Sequence, residues 1–139
     1  MSVPKRSNYF QRLVLSIHRQ LAGTAKVTES AMLRDQVSGM AREVDIVIES
    51  VAAGHAVTVS IECCDLTRKA TVEWVEQKCS EHSSLSTDKL VLASRSGFTR
   101  QALAKAEAYS IDTYDLREAA KVDWTSVVHK TSKIGRAHV

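Results

Sequence analysis

Apolar residues recur at spacings of three and four between Tyr9 and Leu21, where Phe10, Leu13, Val14, Ile17 and Leu21 form one stripe that stops before Gly23. Such a stripe predicts an amphipathic helix. Residues 24–40 mix Thr, Ser, Asp and Gly with few apolar positions, and only Val27 to Ser30 suggests a short strand. Two β-branched runs follow, Val44 to Glu49 and Ala56 to Glu62, joined by Ser50-Val51-Ala52-Ala53-Gly54-His55. They predict an antiparallel hairpin that turns near Ala53 and Gly54. Helical spacing returns from Thr71 to about Ser83, with Val72, Val75 and Cys79 on one face. Lys89 to Ala93, with Leu90-Val91-Leu92 at its centre, reads as a buried strand bounded by Ser94 and Gly97. A further helix is expected from about Thr99 to Tyr109, with Ala102, Leu103 and Ala106 inward and Lys105 outward. Ile111 to Leu116 suggests a last strand.

The order helix, hairpin, helix, strand, helix, strand predicts an α/β fold of three layers. Its sheet is mixed: the hairpin is antiparallel, the later strands join through crossover helices, and helices cover both faces. With 139 residues there is room for one core. One proline and five glycines disfavour collagen-like and low-complexity readings, and no 20- to 50-residue repeat is visible. Nineteen Lys and Arg against sixteen Asp and Glu give +3, which admits a polyanion without requiring one. Three cysteines without a signal peptide argue against a disulfide framework and for the cytoplasm. No apolar run approaches the roughly 18 residues of a membrane helix.

The folded domain is expected over residues 9–116, after a disordered start at 1–8. Residues 117–132 read as a C-terminal segment, truncated because Lys133 to Val139 is what AAG-ATC-GGA-AGA-GCA-CAC-GTC, a sequencing adapter, would encode.

Candidate chemistry begins in the hairpin. A turn centred between Ala53 and Gly54 sets Asp45 opposite Glu62, at Cβ separations of about 5 Å. Like charges facing across a ladder repel, so the pair wants a cation, and two oxygen ligands suit hydrated Mg²⁺ or Mn²⁺. A register shifted by one or two would leave both carboxylates merely solvated. Ser96-Gly97-Phe98-Thr99 sits between a strand and a helix, where free N–H groups suit a phosphate, or where Thr99 simply caps the helix and Gly97 makes a tight turn. Zinc is disfavoured, since adjacent Cys63 and Cys64 point to opposite sides of a strand, which leaves at most one to join Cys79 and His82. No nucleophile elbow, P-loop or dinucleotide fingerprint occurs.

Arg42-Glu43-Val44-Asp45-Ile46-Val47-Ile48, Val59-Ser60-Ile61-Glu62-Cys63-Cys64-Asp65, Thr71-Val72-Glu73-Trp74-Val75-Glu76 and Ser94-Arg95-Ser96-Gly97-Phe98-Thr99, with Ala102 and Lys105-Ala106, follow one another in an order that resembles the Mrr-type restriction endonucleases of the PD-(D/E)xK nuclease superfamily. The resemblance spans roughly residues 9–116. It implies a restriction-endonuclease-like fold and Mg²⁺-dependent hydrolysis of DNA, of the type IV restriction kind, with Asp45 and Glu62 as metal ligands and the Cys63 carbonyl as a third. The catalytic lysine of the E-x-K triplet falls on Cys64, and a glutamate common in the first helix falls on Gln11. A neutral thiol supplies no fixed positive charge, so either Arg68 or Lys69 replaces it, or the metal alone activates its water for slow hydrolysis, or the domain is a catalytically inactive DNA-binding or protein-interaction module. Arg42, Arg68, Lys69, Arg95, Ser96, Thr99 and Arg100 are the expected DNA contacts, and a homodimer is implied for cutting both strands.

Overall fold

A computed structural model describes residues 7–52 and 54–137, with side chains as far as Thr131 and excepting that of Ala52. Residues 1–6 of the disordered start expected at 1–8, the turn residue Ala53 and the adapter-like residues His138 and Val139 lie outside the described residues. Ser7 and Asn8, expected in that disordered start, are ordered: Ser7 caps α1 (Asn8–Leu21) by accepting from the Phe10 amide at 3.1 Å.

Five strands follow: β1 (Lys26–Arg34), β2 (Ala41–Ala52), β3 (His55–Cys64), β4 (Lys89–Ser94) and β5 (Asp112–Asp115). They lie in sequence order across one sheet. β1, β2 and β3 pair antiparallel, and β3, β4 and β5 pair parallel. α2 (Val72–Ser83) and α3 (Arg100–Ala108) form the two crossovers, and α4 (Leu116–Ala119) and α5 (Trp124–Ala137) follow β5. The mixed sheet between helical layers is the architecture the hydrophobic pattern predicts. β1 extends the short strand expected at Val27 to Ser30 at both ends. Its nine residues bury little besides Ala31, so as an edge strand it lacks the apolar alternation that marks its neighbours.

Alternation along β3 divides the core. Val57, Val59 and Ile61 pack with α1 and with Leu116, Trp124, Val127 and Val128, while Cys64 packs with Leu92, Phe98, Val75 and Ala102 under α2 and α3. The core thus continues past Leu116, since Trp124 is fully buried and its indole donates to the Ala119 carbonyl at 3.1 Å. Leu103, expected inward, is 45% exposed. Ala102 and Ala106 take the inner face of α3 instead, because four-residue spacing keeps them in line while Leu103 is rotated about 100° from Ala102. Among the described residues no helix is long and apolar enough to cross a membrane.

Candidate functional site

Where β2 and β3 run side by side, their register is Ile46↔Ile61 through Ala52↔His55. This is the register that sets Asp45 against Glu62. At that next step the ladder ends, and beyond it β3 continues only with β4, as Glu62↔Leu92 and Cys64↔Ser94. Side chains close the gap. The Asp45 amide donates to Glu62 Oε1 at 3.1 Å, and the Cys63 amide donates to Asp45 Oδ2 at 2.8 Å. Each carboxylate therefore binds the other's strand, and the two acidic groups are held together at the mouth of the fork.

The neighbouring strand is distorted at the same point. Glu29↔Ile46 and Ala31↔Val44 bracket Ser30 opposite Asp45, and Ser30 has φ 49°, a left-handed conformation that is unfavourable for a residue bearing a Cβ. Val44 and Val47, three apart, both pack with Ala31 and Leu85. Regular alternation would send them to opposite faces, so the strand turns over around Asp45.

Glu62 is 3% exposed. Its Oε2 lies 2.9 Å from His82 Nε2 and 3.8 Å from Lys78 Nζ, both on α2. His82 Nδ1 meets Thr87 Oγ1 at 2.8 Å, and Thr87 meets Ser60 Oγ at 2.8 Å. Burial pushes the Glu62 carboxyl up, but the His82 hydrogen bond, the Asp45 amide and the Lys78 charge outweigh it, and the group stays below the ordinary carboxylate range. It is ionised at neutral pH.

Cys64, two residues on, faces the same layer but is buried in the α2–α3 core, where desolvation pushes its thiol up and keeps it neutral. Cys63 packs toward the α1 layer. The expected separation of the two cysteines is thus observed, and no ammonium occupies position 64.

A divalent ion, which the family resemblance implies, meets donors of suitable class here. Two carboxylates offer hard oxygens, and Mg²⁺ is commonly held by one or two of them while keeping its waters. Among the described residues no group of three or more His, Cys, Asp and Glu is arranged to hold a metal, so water or substrate oxygens would complete the shell.

No family model matches the chain, and no curated protein matches it significantly in sequence. Among solved structures, an uncharacterised protein, AF1548, aligns at TM-score 0.58 and 14% identity over 76% of this chain. The chain shares its fold with that protein. It spans 56% of that protein's length. The modification-dependent restriction endonuclease AspBHI (TM-score 0.45, 12% identity, 95% of this chain and 39% of that one) and MspJI, solved with a 27-mer oligonucleotide (0.46, 17%, 89% and 29%), align more loosely. At that level neither decides the fold.

The basic residues expected to contact DNA gather at the fork's end of the sheet. Arg42, near the start of β2, is engaged by Asp35 Oδ2 at 3.0 Å. Arg68 and Lys69 are exposed in the segment after β3, and Arg100 is exposed at the start of α3. That segment is tied to the end of β4 by Arg95 N to Cys64 O at 2.9 Å and Ala70 N to Gly97 O at 2.9 Å. Two of the expected contacts already have protein partners: Ser96 Oγ donates to Leu66 O at 2.7 Å, and Thr99 Oγ1 caps α3 by accepting from Ala102 N at 3.1 Å. Gly97 has φ 81°, the tight turn that allows the strand to pass into the helix. Gln11 is exposed on α1. Sequence reasoning missed Lys78 and His82 as partners of Glu62. The only available signal was their four-residue spacing on α2, which gives no hint of the sheet residue they meet.

Proposed function

We propose that the chain is a DNA-binding domain of the restriction-endonuclease-like kind, in which Asp45 and Glu62, with the Cys63 carbonyl, hold one Mg²⁺ or Mn²⁺ for hydrolysis of phosphodiester bonds. The observation that carries this reading is the reciprocal bonding of two acidic side chains where β2 and β3 part. When bound, the cation supplies Lewis acidity and an activated water. His82 and the Asp45 amide fix the Glu62 carboxylate in the ionised state needed for ligation. Lys78, 3.8 Å from that carboxylate, supplies the fixed positive charge that Cys64 lacks, in preference to Arg68 or Lys69. Exposed Arg68, Lys69, Arg95 and Arg100, with Arg42, contact phosphates in a sequence-independent, salt-sensitive manner. Cutting both strands calls for two copies, so a homodimer belongs to this reading.

A second reading, a catalytically silent DNA-binding module, is favoured by the neutral, buried Cys64. Supercoiled-plasmid nicking with Mg²⁺ separates the two, comparing the natural chain with Asp45→Asn and Lys78→Ala. Nicking lost in both variants, with DNA affinity kept, supports the enzyme. No nicking by any of the three, with gel-shift binding intact, supports the module. Absence of DNA binding ends both.

A further inference from the structure

Away from the acidic pair, three guanidinium groups from three separate elements surround one tyrosine. Arg12 of α1, Arg95 after β4 and Arg117 of α4 hold their Cζ atoms 5.8, 5.8 and 5.3 Å from the centre of the Tyr9 ring. Arg117 also donates to the Tyr9 hydroxyl at 3.2 Å. Gathering three like charges opposes folding unless a counter-charge answers them. The carboxylates nearby answer weakly: Asp65 stands 3.9 Å from Arg95, and Asp115 accepts from the Glu118 amide at 2.7 Å as the cap of α4. A cleft of about 500 Å³ opens among Ser7, Asn8, Tyr9 and the three arginines, and none of these lining residues is acidic. The first turn of the 14-residue α1 borders it, adding N–H groups and the positive end of the helix dipole. The same field holds the Tyr9 hydroxyl below its ordinary range, chiefly through the Arg117 hydrogen bond.

We propose that this cleft binds a phosphomonoester dianion, carried either by the end of a nucleic-acid strand or by a free nucleotide. Three forked guanidinium groups and a phenol match a terminal phosphate, which exposes three oxygens and two charges; an internal diester offers one charge and must thread through. The cleft lies at the fork's end of the sheet. Arg95 follows Ser94, the partner of Cys64, and Tyr9 packs with the α1 layer, whereas Glu62 points to His82 and Lys78 of α2 on the other face. A strand-end carrier rests on the DNA-binding reading above, whereas the dianion site does not.

The test is titration of the full chain with inorganic phosphate by calorimetry at matched ionic strength. Arg12→Ala and Arg117→Ala serve as variants, and thermal melting checks that both remain folded. Saturable binding that falls at least about tenfold in both folded variants, the loss of one charged hydrogen-bond set, supports the site. No saturable binding, or binding that neither substitution changes, overturns it. Anisotropy with 5′-phosphorylated and 5′-hydroxyl oligonucleotides of one sequence, beside a mononucleotide, then assigns the carrier. Tighter binding of the phosphorylated strand supports the strand end, and binding of the mononucleotide without that difference supports the free nucleotide. Failure of both oligonucleotides while phosphate still binds counts against the DNA-binding reading and leaves the dianion site standing.

Discussion

Glu62 concentrates the opposing electrostatics of this molecule in one side chain. Its burial disfavours the charged form, and His82, Lys78 and the Asp45 amide together more than compensate. A carboxyl held low in the folded state contributes stability that is complete above its ordinary range, near 4.5, and is lost as pH falls through the folded value. Urea denaturation as a function of pH is therefore expected to show an acid limb that flattens in Glu62→Gln. Glu62→Ala, which strips His82, Lys78 and a backbone donor of their partner at once, is expected to destabilise by about 3 kcal/mol or more. Cys64 gives a second residue-scale expectation. As a neutral thiol 6% exposed, it should alkylate with iodoacetamide far more slowly than Cys79 in the folded chain and equally fast in urea, as read by mass spectrometry.

At the scale of elements, the helices begin where short hydroxyl side chains supply the missing acceptor. Ser7, Thr71 and Thr99 each accept from the amide three residues on. Thr99→Ala is expected to cost about 1 kcal/mol, while Thr99→Asp keeps the cap. If the Thr99 hydroxyl serves only the helix, Thr99→Asp also raises stability by about a few tenths of a kcal/mol in low salt, where an added negative charge at a helix start is favourable, and the gain shrinks as salt is added. Helices, hairpin and inner strands were legible because their faces are repeatedly buried against the core. β1 was legible only over Val27 to Ser30, since an edge strand shows few buried positions. Leu103 was misread because two adjacent apolar residues on a helix do not say which of them turns inward.

Across the whole molecule, the layer formed by α1, α4 and α5 depends on one indole. Trp124 is fully buried, packs edge-on against Tyr114 at 6.2 Å, and its amide donates to Gln20 Oε1 at 2.7 Å. Trp124→Ala is expected to lower stability by about 3–5 kcal/mol. Fluorescence of the remaining Trp74, half-buried beside Phe98, reports the transition in urea.

The chain alone determined the alternation of layers and the place of the hairpin, because these follow from side-chain periodicity and a turn only a few residues long; the register that brings Asp45 to Glu62 was one of the options it left open. Only the tertiary structure decided that the strands fork just there, that Lys78 and His82 arrive from α2, that Cys64 is sealed in an apolar layer, and that arginines as far apart as 12 and 117 share one cleft. Such meetings are set by how helices cross over the sheet, and they leave no periodic trace in the segments they join.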